Sequence, residues 1–110
     1  MGKADVPQGT LDLMVLKALA LGPLHGYGIV QRLDQITRGT FQINPGTVFP
    51  ALRRLDTAGF VTGEWGVTDT NRRARFYTIT RSGRRHLEGQ MKEWKRRALA
   101  VRRVLRAERI

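Results

Sequence analysis

Helix-breaking residues cut the first sixty positions into three short helical segments, and this punctuation constrains the fold more than any other feature. The run TLDLMVLKALAL, Thr10 to Leu21, reads as a helix that stops at Gly22-Pro23, because proline lacks the amide that would extend it. A second helix, Gly26 to Thr37, sets Ile29, Leu33 and Ile36 on one face and ends at Arg38-Gly39. The run TFQI, Thr40 to Ile43, is a short β candidate. Asn44-Pro45 then opens a third helix with a capping side chain and a proline at its first position, and Gly59 closes it.

Beyond Gly59 the periodicity changes. FVTGEWGV and RARFYTIT are β-rich runs separated by the polar segment TDTNR, which predicts a two-stranded hairpin with a long exposed tip. Thr80 caps a last helix that extends nearly to the C-terminus. At 110 residues the chain has room for one modest core. The expected fold is mostly α with a small β-hairpin wing. Residues 1–79 form a winged helix-turn-helix and residues 80–110 a long C-terminal dimerisation helix, the two making one compact unit.

Charge distribution points to a partner. Residues 1–71 carry six basic and six acidic side chains, whereas residues 72–110 carry fourteen basic and three acidic, so the whole net charge of +11 lies in the last third. A solvated face mixes its signs, so one-sided charge favours a polyanion, and nucleic acid is the first candidate. There is no Cys, which removes thiol chemistry and Cys-based metal sites. No secretory leader and no run of about 20 apolar residues is present, so the expectation is a soluble, cytoplasmic protein without a membrane partner.

The third helix carries the most specific pattern. Val48, Leu52 and Leu55 repeat at core spacing, while Gly46, Thr47, Pro50 and Arg53 share the opposite side, flanked by Phe49 and Arg54. Small groups, one hydroxyl and guanidinium forks suit close approach to a DNA groove, where Arg53 reaches guanine O6 and N7 or a phosphate. Pro50 near the N-terminus removes at most the bond to the Gly46 carbonyl; a start with Thr47 as cap would remove none. In the wing, Asn71, Arg72, Arg73 and Arg75 crowd together with Asp69 as the nearby acid. Their repulsion calls for phosphates or a narrow minor groove; a charged edge strand guarding against aggregation is the competing explanation.

Taken in combination, His25-Gly26-Tyr27, the Gly46-Thr47-x-x-Pro50-x-Leu52-x-Arg54-Leu55 helix and the Arg72-Arg73-x-x-x-Tyr77 strand resemble the PadR family of bacterial transcriptional regulators, from about Gly9 to Ile79 and into the last helix. The resemblance implies a homodimeric winged-helix repressor of double-stranded DNA, each recognition helix entering a major groove and each wing touching backbone or minor groove. His25, serving the turn into the second helix and within reach of a phosphate, joins Tyr27 and Asn44 in the DNA-facing set. Position 49, usually Tyr in this pattern, is Phe49 here, so a phenolic hydroxyl is missing.

The first helix is apolar nearly all round, with Leu11, Met14, Val15 and Ala18 on one face and Leu13 and Leu16 on the other, which predicts burial on both sides and a second protomer against one of them. Leu87, Met91, Trp94, Ala98, Val101 and Leu105 supply a matching stripe at alternating spacings of four and three. In some relatives a Trp in this region stacks on flat aromatic compounds across the dimer, which makes Trp94, Met91 and Met14 candidates for an effector site; seam packing is the alternative. Trp65 is expected to pack beside Phe76 or Tyr77. The chain has two His, one Ser, and no metal spacing, paired carboxylates or phosphate-cradling glycines, so neither an enzyme nor a cofactor is expected. A basic RNA-binding or architectural protein that reads no sequence is the alternative class.

Overall fold

The computed structural model describes residues 2–109. The elements run α1 (Gln8–Ala20), β1 (Leu24–His25), α2 (Gly26–Ile36), α3 (Pro45–Thr57), β2 (Val61–Val67), β3 (Arg73–Ile79) and α4 (Arg81–Arg106). Three helix starts have a side-chain cause. The His25 imidazole Nδ1 accepts the Gly28 amide at 3.1 Å and caps α2. Asn44 and Thr47 form a reciprocal capping box on α3, Asn44 Oδ1 accepting the Thr47 amide at 3.2 Å and Thr47 Oγ1 accepting the Asn44 amide at 3.3 Å. Thr80 Oγ1 accepts the Gly83 amide at 3.0 Å and caps α4. With Asn44 as cap, Pro50 lies inside α3, and the start at Thr47 does not occur.

One expected strand is absent and an unexpected one is present. The TFQI run makes only an isolated parallel bridge, Ala4 to Phe41, because the N-terminal arm offers it no longer partner. The third strand is instead β1, two residues long, which pairs antiparallel with β3 to give the sheet order β1-β3-β2. The hairpin β2–β3 runs in register from Val61 opposite Ile79 to Val67 opposite Arg73.

The core gathers Leu11, Val15, Leu16, Ala18 and Leu19 of α1, Ile29 and Leu33 of α2, Val48, Ala51, Leu52 and Leu55 of α3, Val61, Ile79 and Leu87, all nearly inaccessible. Ile36, expected on the inner face of α2, is 58% exposed in the last turn of that helix. Helix α1 is central, packed on α2, α3, α4 and β3 of its own chain. This corrects part of the expected dimer surface: Leu11, Val15, Ala18 and Leu87 are consumed by the protomer's own core, since α4 folds back onto α1 and covers the side thought to need a second chain.

The C-terminal end of α3, the base of the wing and the start of α4 meet at one junction. The Thr80 and Ser82 hydroxyls both donate to the Gly59 carbonyl, at 2.7 and 3.0 Å, and the Phe60 ring stacks on His86 with centroids 4.1 Å apart. Gly83 lies against the Phe60 carbonyl, too close for any side chain. From this junction α4 extends about 39 Å, and the molecule reaches 58 Å along its longest axis. From Leu99 to Arg109 every residue is exposed.

Candidate nucleic-acid interface

The first turns of α3 present Gly46, Thr47 and Pro50 at the surface, with Arg53 exposed one turn on. Proline at position 50 leaves the Gly46 carbonyl without an amide donor from its own helix. The Thr47 hydroxyl is largely spent locally, since it also donates to the Asn44 carbonyl at 3.0 Å and keeps one lone pair free. Asn44 likewise has its carbonyl oxygen engaged, leaving its amide nitrogen available.

The adjacent arginine corrects an expectation. Arg54 turns inward to α1 and grips Asp12 with two hydrogen bonds, Nη2 to Oδ1 at 2.7 Å and Nε to Oδ2 at 3.2 Å. Its hydrogen bond to Asp12 raises its pKa above the usual arginine value. Helical phase explains the difference: the residue lies toward the α1 side of α3, so its guanidinium is an internal brace and not a free DNA contact.

Phe49 also serves packing. Its ring covers Gly26, where any side chain would collide with it, and meets Tyr27 edge-on at 5.6 Å. Tyr27 is 65% exposed, so it offers beside position 49 the phenolic hydroxyl that Phe49 lacks. His25, besides capping α2, sets its ring edge-on against Phe76 at 5.2 Å.

Opposite this wall stands the wing. The turn at its tip closes through Asn71, whose amide bonds the Thr68 carbonyl at 2.9 Å and whose backbone is left-handed at φ 61°, a conformation asparagine tolerates. Arg73 lies over the Trp65 ring with its guanidinium carbon 4.5 Å from the centroid. Arg75 runs across Gly63, where a Cβ would displace it, toward Tyr77. Trp65 is 60% exposed and shares its face with Tyr77 and not Phe76, because strand register sets it opposite Arg75 and sets Phe76 opposite Glu64 on the other face. Parity counted from Val61 and Ile79 was the signal that could have placed it.

Between the two walls lies an open cleft of about 1010 Å³, lined by His25, Tyr27 and Phe49 on one side and by Trp65, Arg72, Arg73 and Arg75 on the other. Asp69 is its acidic member. Arg53, Arg72, Arg73 and Arg75 make no ion pair among the described residues. Arg72, Arg73 and Arg75, without counter-charges beside a concave, partly aromatic wall, form a surface that attracts anions.

The remaining candidates lie elsewhere. Trp94, 52% exposed, lines a second, shallow hollow of about 250 Å³ with Pro7, Thr10, Leu13 and Arg97. Met14 and Met91 are not part of it; they pack on the rim of the core. Ala98 is half-buried, whereas Val101 and Leu105 are 57% and 79% exposed. Among the described residues no group of His, Asp and Glu is placed to hold a metal ion, and no helix is long and apolar enough to cross a membrane.

Residues 15–89 match the model of the transcriptional regulator PadR-like family. A transcriptional regulator of Mycobacterium tuberculosis is 35% identical over 80 residues, covering 73% of this chain and 71% of the relative. Among solved structures, a PadR family transcriptional regulator of Eggerthella lenta is 28% identical with a TM-score of 0.78, the match covering 92% of this chain and 86% of that one. Bacillus subtilis PadR in complex with operator DNA is 26% identical with a TM-score of 0.66, over 74% of this chain and 46% of that one.

Proposed function

The chain belongs to the PadR-like family of transcriptional regulators, and from that premise we propose that it is a sequence-specific repressor that binds a pseudo-palindromic operator as a homodimer. It is a regulator and not an enzyme. The observation that carries the reading is the cleft between the start of α2, joined by Phe49 of α3, and the wing arginines Arg72, Arg73 and Arg75. In this arrangement the tip of α3 enters a major groove, Arg53 reads base edges, and Arg72 and Arg73 hold the backbone or the adjacent minor groove. The operator complex of the Bacillus subtilis relative supports the same kind of partner here.

The homodimer is supported by the stripe Met91, Trp94, Ala98, Val101 and Leu105, apolar groups that the protomer leaves wholly or partly uncovered. Two recognition helices related by a two-fold axis then meet half-sites about 10 bp, or a multiple, apart. Selection of bound duplexes from a random library, followed by footprinting, tests the reading: two related half-sites are expected, and protection of a single asymmetric site by a monomer overturns it. Release by a flat aromatic effector at Trp94 belongs to the same proposal, the ring being exposed on the stripe. A panel of planar aromatics titrated against Trp65→Phe protein should quench the remaining emission; an unchanged signal leaves Trp94 with packing alone.

A further inference from the structure

The cleft does not absorb most of the positive charge. Along one flank of α4, Arg85, Lys92, Lys95, Arg102, Arg103 and Arg106 follow one another at helical spacing, all exposed and none in an ion pair among the described residues. The acid on this flank is Glu88, while Glu93 lies on the other side, where it holds Arg96 and Arg97 at 2.6 and 3.2 Å. The stripe runs against the ordinary rules of helix stability. No acidic residue occupies the first turn of α4, where Arg81 and Arg84 instead meet the positive end of the helix dipole. Arg81 with Arg85, and Arg102 with Arg106, are like charges one turn apart. A helix carrying these penalties along one flank is built to meet negative charge there.

Geometry separates this flank from the cleft. Phe49 of α3 and the tip of the wing border the cleft, whereas the last turn of α3 and the base of the wing join the start of α4 through Gly59, Phe60 and Thr80. Thirteen helical residues and seven strand residues set the two ends about 20 Å apart, comparable to the width of a duplex. The start of the α4 stripe is therefore about one duplex width away from a duplex seated on the α3 and wing tips.

We propose that the basic flank of α4 is a second, sequence-independent binding surface for the phosphate backbone of DNA, and that it takes a duplex segment other than the one held at the cleft. One molecule then bridges two segments. The occupant follows from charge complementarity: point and fork cations repeat along about 32 Å of helix, close to one turn of duplex, and no aromatic side chain lies on this flank to stack single-stranded bases. The inference rests on the cleft reading only for which segment is held first.

The test uses full-length protein on an immobilised duplex obtained by the selection described above. After washing, a labelled duplex of scrambled sequence is added at about 50 mM salt. Wild-type protein is expected to capture it, and capture should fall at least about tenfold by 200 mM salt, as for several phosphate contacts. The variant Lys92→Gln/Lys95→Gln/Arg102→Gln/Arg103→Gln, which relieves repulsion at exposed sites and so keeps the fold, should bind the first duplex within about twofold and lose capture of the second. No capture by wild type, equal capture by the variant, or capture of a structured RNA or phosphatidylserine vesicles in place of the duplex overturns the proposal. Equal retention on selected and scrambled immobilised duplexes would instead defeat the cleft reading and leave the stripe standing.

Discussion

Arg53 and Arg54 are neighbours in sequence but about 100° apart around α3, so one side chain projects into solvent while the other reaches Asp12 on α1. Their substitutions should therefore separate cleanly. Arg53→Ala is expected to change which bases are preferred in a duplex selection with unfolding unaffected. Arg72→Ala should weaken all duplexes alike and lower the slope of log affinity against log salt by about 0.9. Arg54→Ala should leave base preference intact and cost about 1 kcal/mol, since the pair is bidentate yet a quarter to a third exposed. Thermal unfolding with an Asp12→Ala/Arg54→Ala cycle measures it, and a coupling near zero would reduce the pair to a surface contact. The sequence made Arg53 legible because its phase opposite Val48, Leu52 and Leu55 follows from spacing alone. It could not make Arg54 legible, because a flank residue chooses between solvent and a partner 42 positions away that no local pattern announces.

At the scale of elements, capping chemistry carried most of the reading. Asn44 and Thr80 fix two helix starts through bonds three residues long, which sequence displays directly. Asn44→Ala should cost about 1 kcal/mol and loosen the first turn of α3, seen as faster amide exchange at Thr47 and Val48 and weaker binding to every duplex. The two-residue β1 had no such signature: it is a strand only because β3 lies beside it, and TFQI, with the better β composition, has no comparable neighbour. Tertiary opportunity, not propensity, assigned both segments. Gly83 is the element-scale position of highest consequence, because α4 docks by its backbone onto Phe60 there. Gly83→Ala should destabilise by about 1–3 kcal/mol through overpacking, and a calorimetric midpoint within a degree of wild type would show that the junction yields.

For the whole molecule, the burial of α1 by its own chain moves the surface available to a second protomer toward the exposed half of α4. Val101→Glu/Leu105→Glu should give a folded monomer in sedimentation with far weaker affinity for a two-half-site duplex, since both positions are more than half exposed in the protomer. A dimer that survives the double substitution places the seam elsewhere. The stretch from Leu99 onward also has a quantitative side. The last eight residues of α4 bury little of their surface within the protomer, so the proposed partner is what would cover them. Pairing of protomers through that segment, as proposed above, would be governed by how much chain the cell contains. For the proposed homodimer, the concentration of dimer below the dissociation constant of the pair rises with the square of protomer concentration, so a twofold change in protomer becomes about a fourfold change in dimer. On that proposal, a tail left uncovered in the single chain would set a dose threshold for DNA binding.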